Sequence, residues 1–353
     1  MRTVDYIAKF LISKKIREIF MLTGYGAMYL NDAIQQSGIK HYASRNEAAA
    51  PMMASAYGKI KGPIGAVCVT AGPGATNALP GLAEAWVDSA PIMIFSGQVE
   101  KKHTTHHLKI NNLRTYGTAE INIIDVVKPI TKFSAVVDNP NKIKYLLEKS
   151  FYIATSGRPG PVWLDIPLDI QRATVDPSKL KRFFITKKSL FNKKKELKIK
   201  IIKIIKLLRK SKSPLIVCGQ GVRQSKAIEE FKKIVNVLKV PVVFSRLGQD
   251  IIPHNQKYIF GLSGIKGTRF CKSITQKSDV VLVLGSRLAV PFIGYKSEAF
   301  SKKAKIIMVD IDSAELKKPL KLAVKINLDL KDFLIEFKKE LKREKLPSYK
   351  NWI

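Results

Sequence analysis

Ile64-Gly65-Ala66-Val67-Cys68-Val69-Thr70 runs directly into Ala71-Gly72-Pro73-Gly74-Ala75-Thr76-Asn77. The first seven residues do not alternate between apolar and polar. A short unbroken run of this kind reads as a strand buried on both faces, which is the signature of a parallel sheet covered by helices on each side. The glycine turn then ends the strand and opens a helix predicted to reach residue 88. On the N-terminal side, residues 19–22 and 39–44 read as strands, with helices over 27–36 and 47–60. On the C-terminal side, residues 91–96 and 161–166 read as strands, with a helix over 142–154. Strand and helix alternate throughout, so residues 1–172 are expected to form an α/β domain with a doubly wound parallel sheet. A second α/β pattern over 199–335 has strands at 215–218, 240–244, 280–284 and 305–310. A helix at 227–238 separates two of them. Residues 173–198 read as a Lys-rich linker, and 336–353 as a terminal helix and linker.

A chain of 353 residues accommodates two domains. No apolar run approaches the roughly 20 residues of a membrane span, and the N-terminus lacks a signal-like apolar core. A cytoplasmic protein with no membrane partner is the expectation. The three cysteines, Cys68, Cys218 and Cys271, are widely spaced and odd in number. They read as reduced packing residues rather than a disulfide or metal framework. The net charge is +34, and residues 179–212 carry fifteen Lys and Arg against one acid, Glu196. The excess is mostly Lys, accompanied by Ile and Asn, with little aromatic interleaving. Nucleic-acid recognition would favour Arg for its bidentate fork, so this stretch reads as a solvated linker and no nucleic-acid partner is expected.

Several short motifs admit two readings. Ser44-Arg45-Asn46-Glu47 has capping-box spacing, in which both side chains would satisfy backbone donors at a helix start. It also lies at the C-terminal end of a parallel strand, where open α/β sheets bind ligands. There, apolar surroundings from Ala48-Ala49-Ala50-Pro51 would raise the carboxyl pKa toward a useful range. The Gly72 and Gly24-Tyr25-Gly26 turns permit close backbone approach to a ligand, or are plain turns. Gly219-Gln220-Gly221 is a lone G-x-G and weak as a nucleotide fingerprint.

Taken together, the motifs resemble thiamine-diphosphate (ThDP) enzymes of the acetolactate synthase type. Arg45-Asn46-Glu47 is similar to that family's Arg-His-Glu, and Thr70 to Asn77 to its Thr-Ser-Gly-Pro-Gly-Ala-Thr-Asn. Residues 91–99 (PIMIFSGQV) and 157–167 (GRPGPVWLDIP) resemble the end of its fourth strand and the close of its pyrimidine-binding domain. Residues 278–287 and 308–312 resemble, more loosely, its Rossmann-like central domain. The resemblance implies that Glu47 hydrogen-bonds N1′ of the cofactor's aminopyrimidine and so activates it toward a 2-oxo acid. It places Gly24, Gly26, Gly72, Pro73 and Asn77 along the pyrimidine and Gln98 on the substrate side. His107, in His103-Thr104-Thr105-His106-His107, is similar to a proton-relaying histidine of pyruvate decarboxylase-type members; a solvated polar loop is the other reading.

Departures from the family pattern are specific. Asn46 replaces His, and Ala48 replaces the Gln after Glu47. Gly117-Thr118-Ala119-Glu120 stands where the synthases have Ala-Phe-Gln-Glu, ahead of Thr131-Lys132, which puts acetolactate formation itself in doubt. The family's metal motif, Gly-Asp-Gly with a later Asn, does not occur. Mg²⁺ ligands are therefore expected outside this chain, which implies either a truncated sequence or a separate diphosphate-binding subunit. FAD, bound by the synthases' central domain, is a possible second cofactor, with structural use of that domain the favoured reading. The resemblance also implies a homo-oligomer, at least a dimer. The alternatives are a split 2-oxo acid decarboxylase and a non-catalytic paralogue that binds a nucleotide or a partner subunit.

Overall fold

Alternate residues of the strand Gly65–Val69 point to opposite faces of its sheet, and both faces are buried. Ala66 and Cys68 join one apolar cluster, Val67 and Val69 another. This is the doubly covered sheet that an unbroken apolar run requires. The computed structural model describes residues 1–185, 191–297 and 300–352. The chain divides into two units, Met1–Thr186 and Lys187–Ile353.

In the first unit the strands are β1 (Glu18–Met21), β2 (Lys40–Ala43), β3 (Gly65–Val69), β4 (Ile92–Gln98), β5 (Phe133–Val136) and β6 (Val162–Pro167). They lie in the order β2-β1-β3-β4-β6-β5, and every neighbouring pair is parallel. The second unit contains β7 (Pro214–Cys218), β8 (Val242–Phe244), β9 (Ile259–Leu262), β10 (Val280–Leu284), β11 (Lys305–Asp310) and β12 (Leu322–Asn327). Their order is β12-β11-β10-β7-β8-β9, again all parallel. Both units are thus the doubly wound α/β sheets predicted from the sequence.

Several elements differ from expectation. The helix predicted from Gly74 to residue 88 is two helices, Pro73–Asn77 and Leu79–Asp88. Pro80 has no N–H to continue the ladder, so it sits in the first turn of a new helix. A helix over Thr3–Ser13 and the strands β5, β9 and β12 were not predicted.

The solvated-linker reading of the Lys-rich stretch is corrected for most of its length. Phe191–Lys210 is a 20-residue helix, whose Ile201, Ile204, Ile205 and Leu208 enter the core of the second unit. Spacings of three, one and three place them on one helical stripe, with Lys203, Lys206 and Lys210 exposed off it. Residues 186–190 of the expected linker lie outside the described residues. The end of the chain, expected to lead away as a linker, packs back. The Tyr349 hydroxyl donates to the Leu208 carbonyl at 2.8 Å and the Trp352 indole N–H to that of Pro214 at 2.9 Å.

All three cysteines are free and buried. Burial pushes the Cys68 thiol up to about 12 and that of Cys218 well above its usual value, in keeping with packing roles. Among the described residues no helix is long and apolar enough to cross a membrane.

Lys132 shows how a loop is pinned to the first unit. Its ammonium donates to the carbonyls of Ile153, Ser156 (2.8 Å) and Arg158 (2.7 Å). These lie at and just beyond the C-terminus of the helix Ile143–Thr155, where carbonyls lack intrahelical partners, although burial pulls the Lys132 ammonium down to about 8. Lys132→Met leaves those acceptors without their donor. It is expected to lower the unfolding free energy by about 1–3 kcal/mol, measured by urea denaturation against the parent chain.

Candidate active site

Strand order reverses between β1 and β3, whose following connections run to opposite sides, and open α/β sheets bind ligands in the crevice at such a point. Two turns meet there. The Gly26 N–H, after β1, donates to Thr70 Oγ1, after β3, at 3.1 Å. The Gly72 backbone has φ +57°, outside the range that side chains favour, and a Cβ there would lie 1.7 Å from the Ala119 carbonyl oxygen. Glycine is required at this position by both conformation and space. Pro73 follows in the first turn of the helix Pro73–Asn77, with its fixed φ already helical.

Glu47 reaches the same place from the end of β2. It is not part of a capping box. The helix that follows is Ala49–Ile60, its N-cap is Ala48, and no side chain caps it. Ser44 turns away and donates to the Met21 carbonyl at 3.3 Å. Asn46 holds the turn instead, its Oδ1 accepting the Ala48 N–H at 2.8 Å. Asn77 Nδ2 then donates to Glu47 Oε2 at 2.6 Å and lies 3.3 Å from Asn46 Oδ1. The other carboxylate oxygen, Oε1, faces Gly74, where a Cβ would come within 3.2 Å of it. The apolar enclosure expected around Glu47 is incomplete: the residue is half-buried, and Asn46 and Asn77 are exposed.

Gln98, expected to face a substrate, is 4% exposed and committed to the protein. Its Nε2 donates to the Ile121 carbonyl at 3.0 Å and to Asp165 Oδ2 at 3.2 Å, while its Oε1 accepts the Val99 N–H at 3.1 Å. Asp165 also accepts from Ser96 Oγ at 2.5 Å, and Ser96 in turn accepts the Trp163 indole N–H at 2.8 Å. Burial pushes the Asp165 carboxyl up to about 7, opposed by the Ser96 and Gln98 hydrogen bonds and reinforced by the charge of Glu120. Glu120 is itself buried, accepting the Thr105 N–H and hydroxyl at 2.9 and 2.7 Å and the Tyr116 N–H at 3.3 Å.

Sequence reasoning did not pick out Asp165 as a functional residue. The available signal was a single acid inside the buried run Val162-Trp163-Leu164-Asp165-Ile166, which cannot be buried unless partnered. His107 lies on the short helix Thr105–Leu108 with its N–H on Thr104 Oγ1 and its side chain exposed. His103 is the histidine beside a carboxylate, 4.0 Å from Glu100.

In the second unit the order reverses between β7 and β10, and the turns there are packed on each other. A Cβ on Gly219 would lie 2.2 Å from the Gly285 oxygen. The Gly219 and Gly221 N–H groups donate to the carbonyls of Leu284 (2.9 Å) and Gly285 (3.0 Å), and that of Val222 to Gly219 (3.1 Å). These are the donors that a nucleotide-binding turn directs at a phosphate, and here they are already used. Arg223, following the turn, pairs with Asp250 at 2.8 Å. The residues of this turn therefore do not fit a flavin pyrophosphate bound in the Rossmann manner.

Two family models match the chain. "Thiamine pyrophosphate enzyme, N-terminal TPP binding domain" covers residues 1–118, and "Thiamine pyrophosphate enzyme, central domain" covers 201–337. The chain belongs to the thiamine pyrophosphate enzyme family. Its relatives include a probable acetolactate synthase large subunit of Methanococcus aeolicus, 32% identical over 97% of this chain and 55% of its own length. The acetolactate synthase large subunit of Buchnera aphidicola (subsp. Schizaphis graminum) is 32% identical over 99% of this chain and 60% of its length. An isozyme 2 large subunit from Escherichia coli is 28% identical over 95% and 58%. The chain thus spans less than two thirds of the curated relatives it matches.

The crevice fits the family's cofactor at its aminopyrimidine end. A carboxyl group with one oxygen fixed by Asn77 and the other over a glycine suits a ring nitrogen with which it shares a proton. Among the described residues, no group of three or more His, Cys, Asp or Glu side chains is placed to hold a metal ion.

Gly72→Ala should destabilise the first unit by about 2 kcal/mol or more, since it combines a disfavoured φ with a backbone clash. A shift of the thermal midpoint against the parent, read by far-ultraviolet circular dichroism, measures it; an unchanged midpoint would contradict the close approach of Ala119.

Proposed function

We propose that this chain contributes the aminopyrimidine half of a thiamine-diphosphate site acting on a 2-oxo acid, in the manner of its acetolactate synthase relatives. The observation that carries the reading is the 2.6 Å hydrogen bond from Asn77 to Glu47 at the mouth of the switch-point crevice. A capping role does not account for Glu47, because the cap is absent. This weighs against a non-catalytic paralogue.

When bound, thiamine diphosphate supplies the electron sink for decarboxylation and carbon–carbon bond formation. Glu47 holds a proton at the pyrimidine ring nitrogen, and Asn77 fixes the carboxylate that does so. Thr70 and Gly26 keep the two turns together, leaving the Gly74 side of the crevice without a side chain. The diphosphate and its Mg²⁺ are held by a domain or subunit beyond these residues. A split 2-oxo acid decarboxylase is the second reading, favoured by the exposed His106 and His107 on the loop after β4. The partner face includes Met52 and Met53 on the helix Ala49–Ile60 and Trp86 and Val87 on Leu79–Asp88, large apolar residues left at least a third exposed. The second unit serves as scaffold rather than as a flavin site.

Two measurements test this. In protein reconstituted with the diphosphate-binding half, Glu47→Gln should slow hydrogen–deuterium exchange at cofactor C2 by about 100-fold or more, with the circular dichroism spectrum unchanged. Exchange at the parental rate would remove Glu47 from its role. Titrating the purified chain with FAD should leave flavin fluorescence unquenched, whereas saturable quenching would make the second unit a flavin domain.

A further inference from the structure

The loop between β4 and β5 is anchored from beneath by two buried carboxylates that the chemistry above does not use. Asp165, 2% exposed on β6, grips Gln98 at the end of β4, and Gln98 in turn grips the Ile121 carbonyl. Glu120, 4% exposed and one residue earlier, gathers the Thr105 and Tyr116 backbone of the same loop. Between these anchors, Ala119 adopts φ +55°, a left-handed conformation that costs free energy for a residue with a Cβ. Such a conformation persists only where the surroundings impose it. Its carbonyl is the group seated on Gly72.

We infer that Asp165 is a positioning residue. Acting through Gln98, it holds segment 117–121 down on the Gly72 turn and so sets the wall of the crevice on the substrate side. The inference rests on the proposed function for its meaning, since that wall matters only if the crevice is the site. It deepens that reading by assigning the wall to a residue that never touches a ligand.

The hydrogen-bond directions define which state of Asp165 works. Trp163 donates to Ser96, so the Ser96 hydroxyl proton is directed at Asp165 Oδ1. The Gln98 amide has its oxygen occupied by the Val99 N–H, so its nitrogen must face Asp165. Both partners are donors, and the clasp therefore requires the carboxylate. Protonation adds a hydrogen to a carboxyl group toward which both partners already direct one. Burial favours the protonated form and brings the transition to about 7, and among the described residues Glu120 is the other charged group bearing on it. The clasp closes as pH rises through that value and opens as pH falls.

The test uses the full chain without cofactor, so its outcome is independent of the Glu47 exchange experiment. Amide hydrogen exchange across residues 99–121 is followed by mass spectrometry, corrected for the intrinsic pH dependence of exchange. In the parent, protection of 117–121 should fall about tenfold between pH 8 and pH 6. Asp165→Asn replaces one of the two acceptor oxygens by an N–H, so it cannot accept from Ser96 and Gln98 together, and it should show the low-protection state at both pH values. Gln98→Met should do the same while leaving Asp165 ionisable, which covers the case in which Asp165→Asn fails to fold. Trp163 provides a second signal through Ser96: tryptophan emission should titrate near pH 7 in the parent, at higher pH in Gln98→Met, which loses a hydrogen bond that favours the carboxylate, and stay flat in Asp165→Asn. Parental protection of 117–121 in Gln98→Met overturns the inference. So does a titration that survives in a folded Asp165→Asn.

Discussion

Parallel pairing of β1 with both β2 and β3 is the constraint from which the candidate site follows. The connection leaving β1 runs outward to β2 and the one leaving β3 runs the other way to β4, so the strand order reverses between them and a gap opens beyond their C-terminal ends. The turns after β1 and β3 fill that gap by touching through Gly26 and Thr70. The end of β2, one strand further out, then brings Glu47 within 2.6 Å of Asn77. The two residues are 30 positions apart in sequence, and sheet topology brings them together. Glycine at 72 and 74 follows from the same crowding, because each position meets a neighbour where a Cβ would stand.

The fold was legible where burial writes itself directly into composition. β3, β4, β6, β7 and β10 are buried at every position, so their apolar runs could be read without ambiguity. β5 was missed because all four of its residues are only partly buried and its sequence, Phe-Ser-Ala-Val, carries no periodic signal. β12 had a signal, since Val324 and Ile326 alternate with exposed neighbours, but the surrounding lysines masked it. Lysines also hid the helix Phe191–Lys210, whose stripe at 201, 204, 205 and 208 was present in the sequence. In both places the high average polarity conceals an apolar spacing that the sequence carries.

At the site, residue types were legible and their uses were not. Motif resemblance led to Glu47, Gly72, Pro73 and Asn77, which the fold does gather at one crevice. It also led to Gln98, whose amide proves to be consumed by Ile121, Val99 and Asp165. A one-dimensional motif cannot distinguish a side chain that faces a cavity from one that braces its wall. The charge has a similar lesson. Of the 62 basic residues, 39 lie in residues 187–353 against 14 acids there, yet that unit has the ordinary core of a parallel α/β domain. Net charge constrained the surface and said little about the interior.

The buried thiols carry a consequence of their own. A thiol reacts as its thiolate and only where reagent can reach it, so Cys68, Cys218 and Cys271 are silent in the folded chain. Cys68 belongs to the first unit and the other two to the second. Alkylation of each therefore reports the opening of its own unit, and mass-resolved labelling rates separate two opening equilibria that a single melting curve would merge. The native sequence thus carries its own probe of whether the two sheets open together or one at a time.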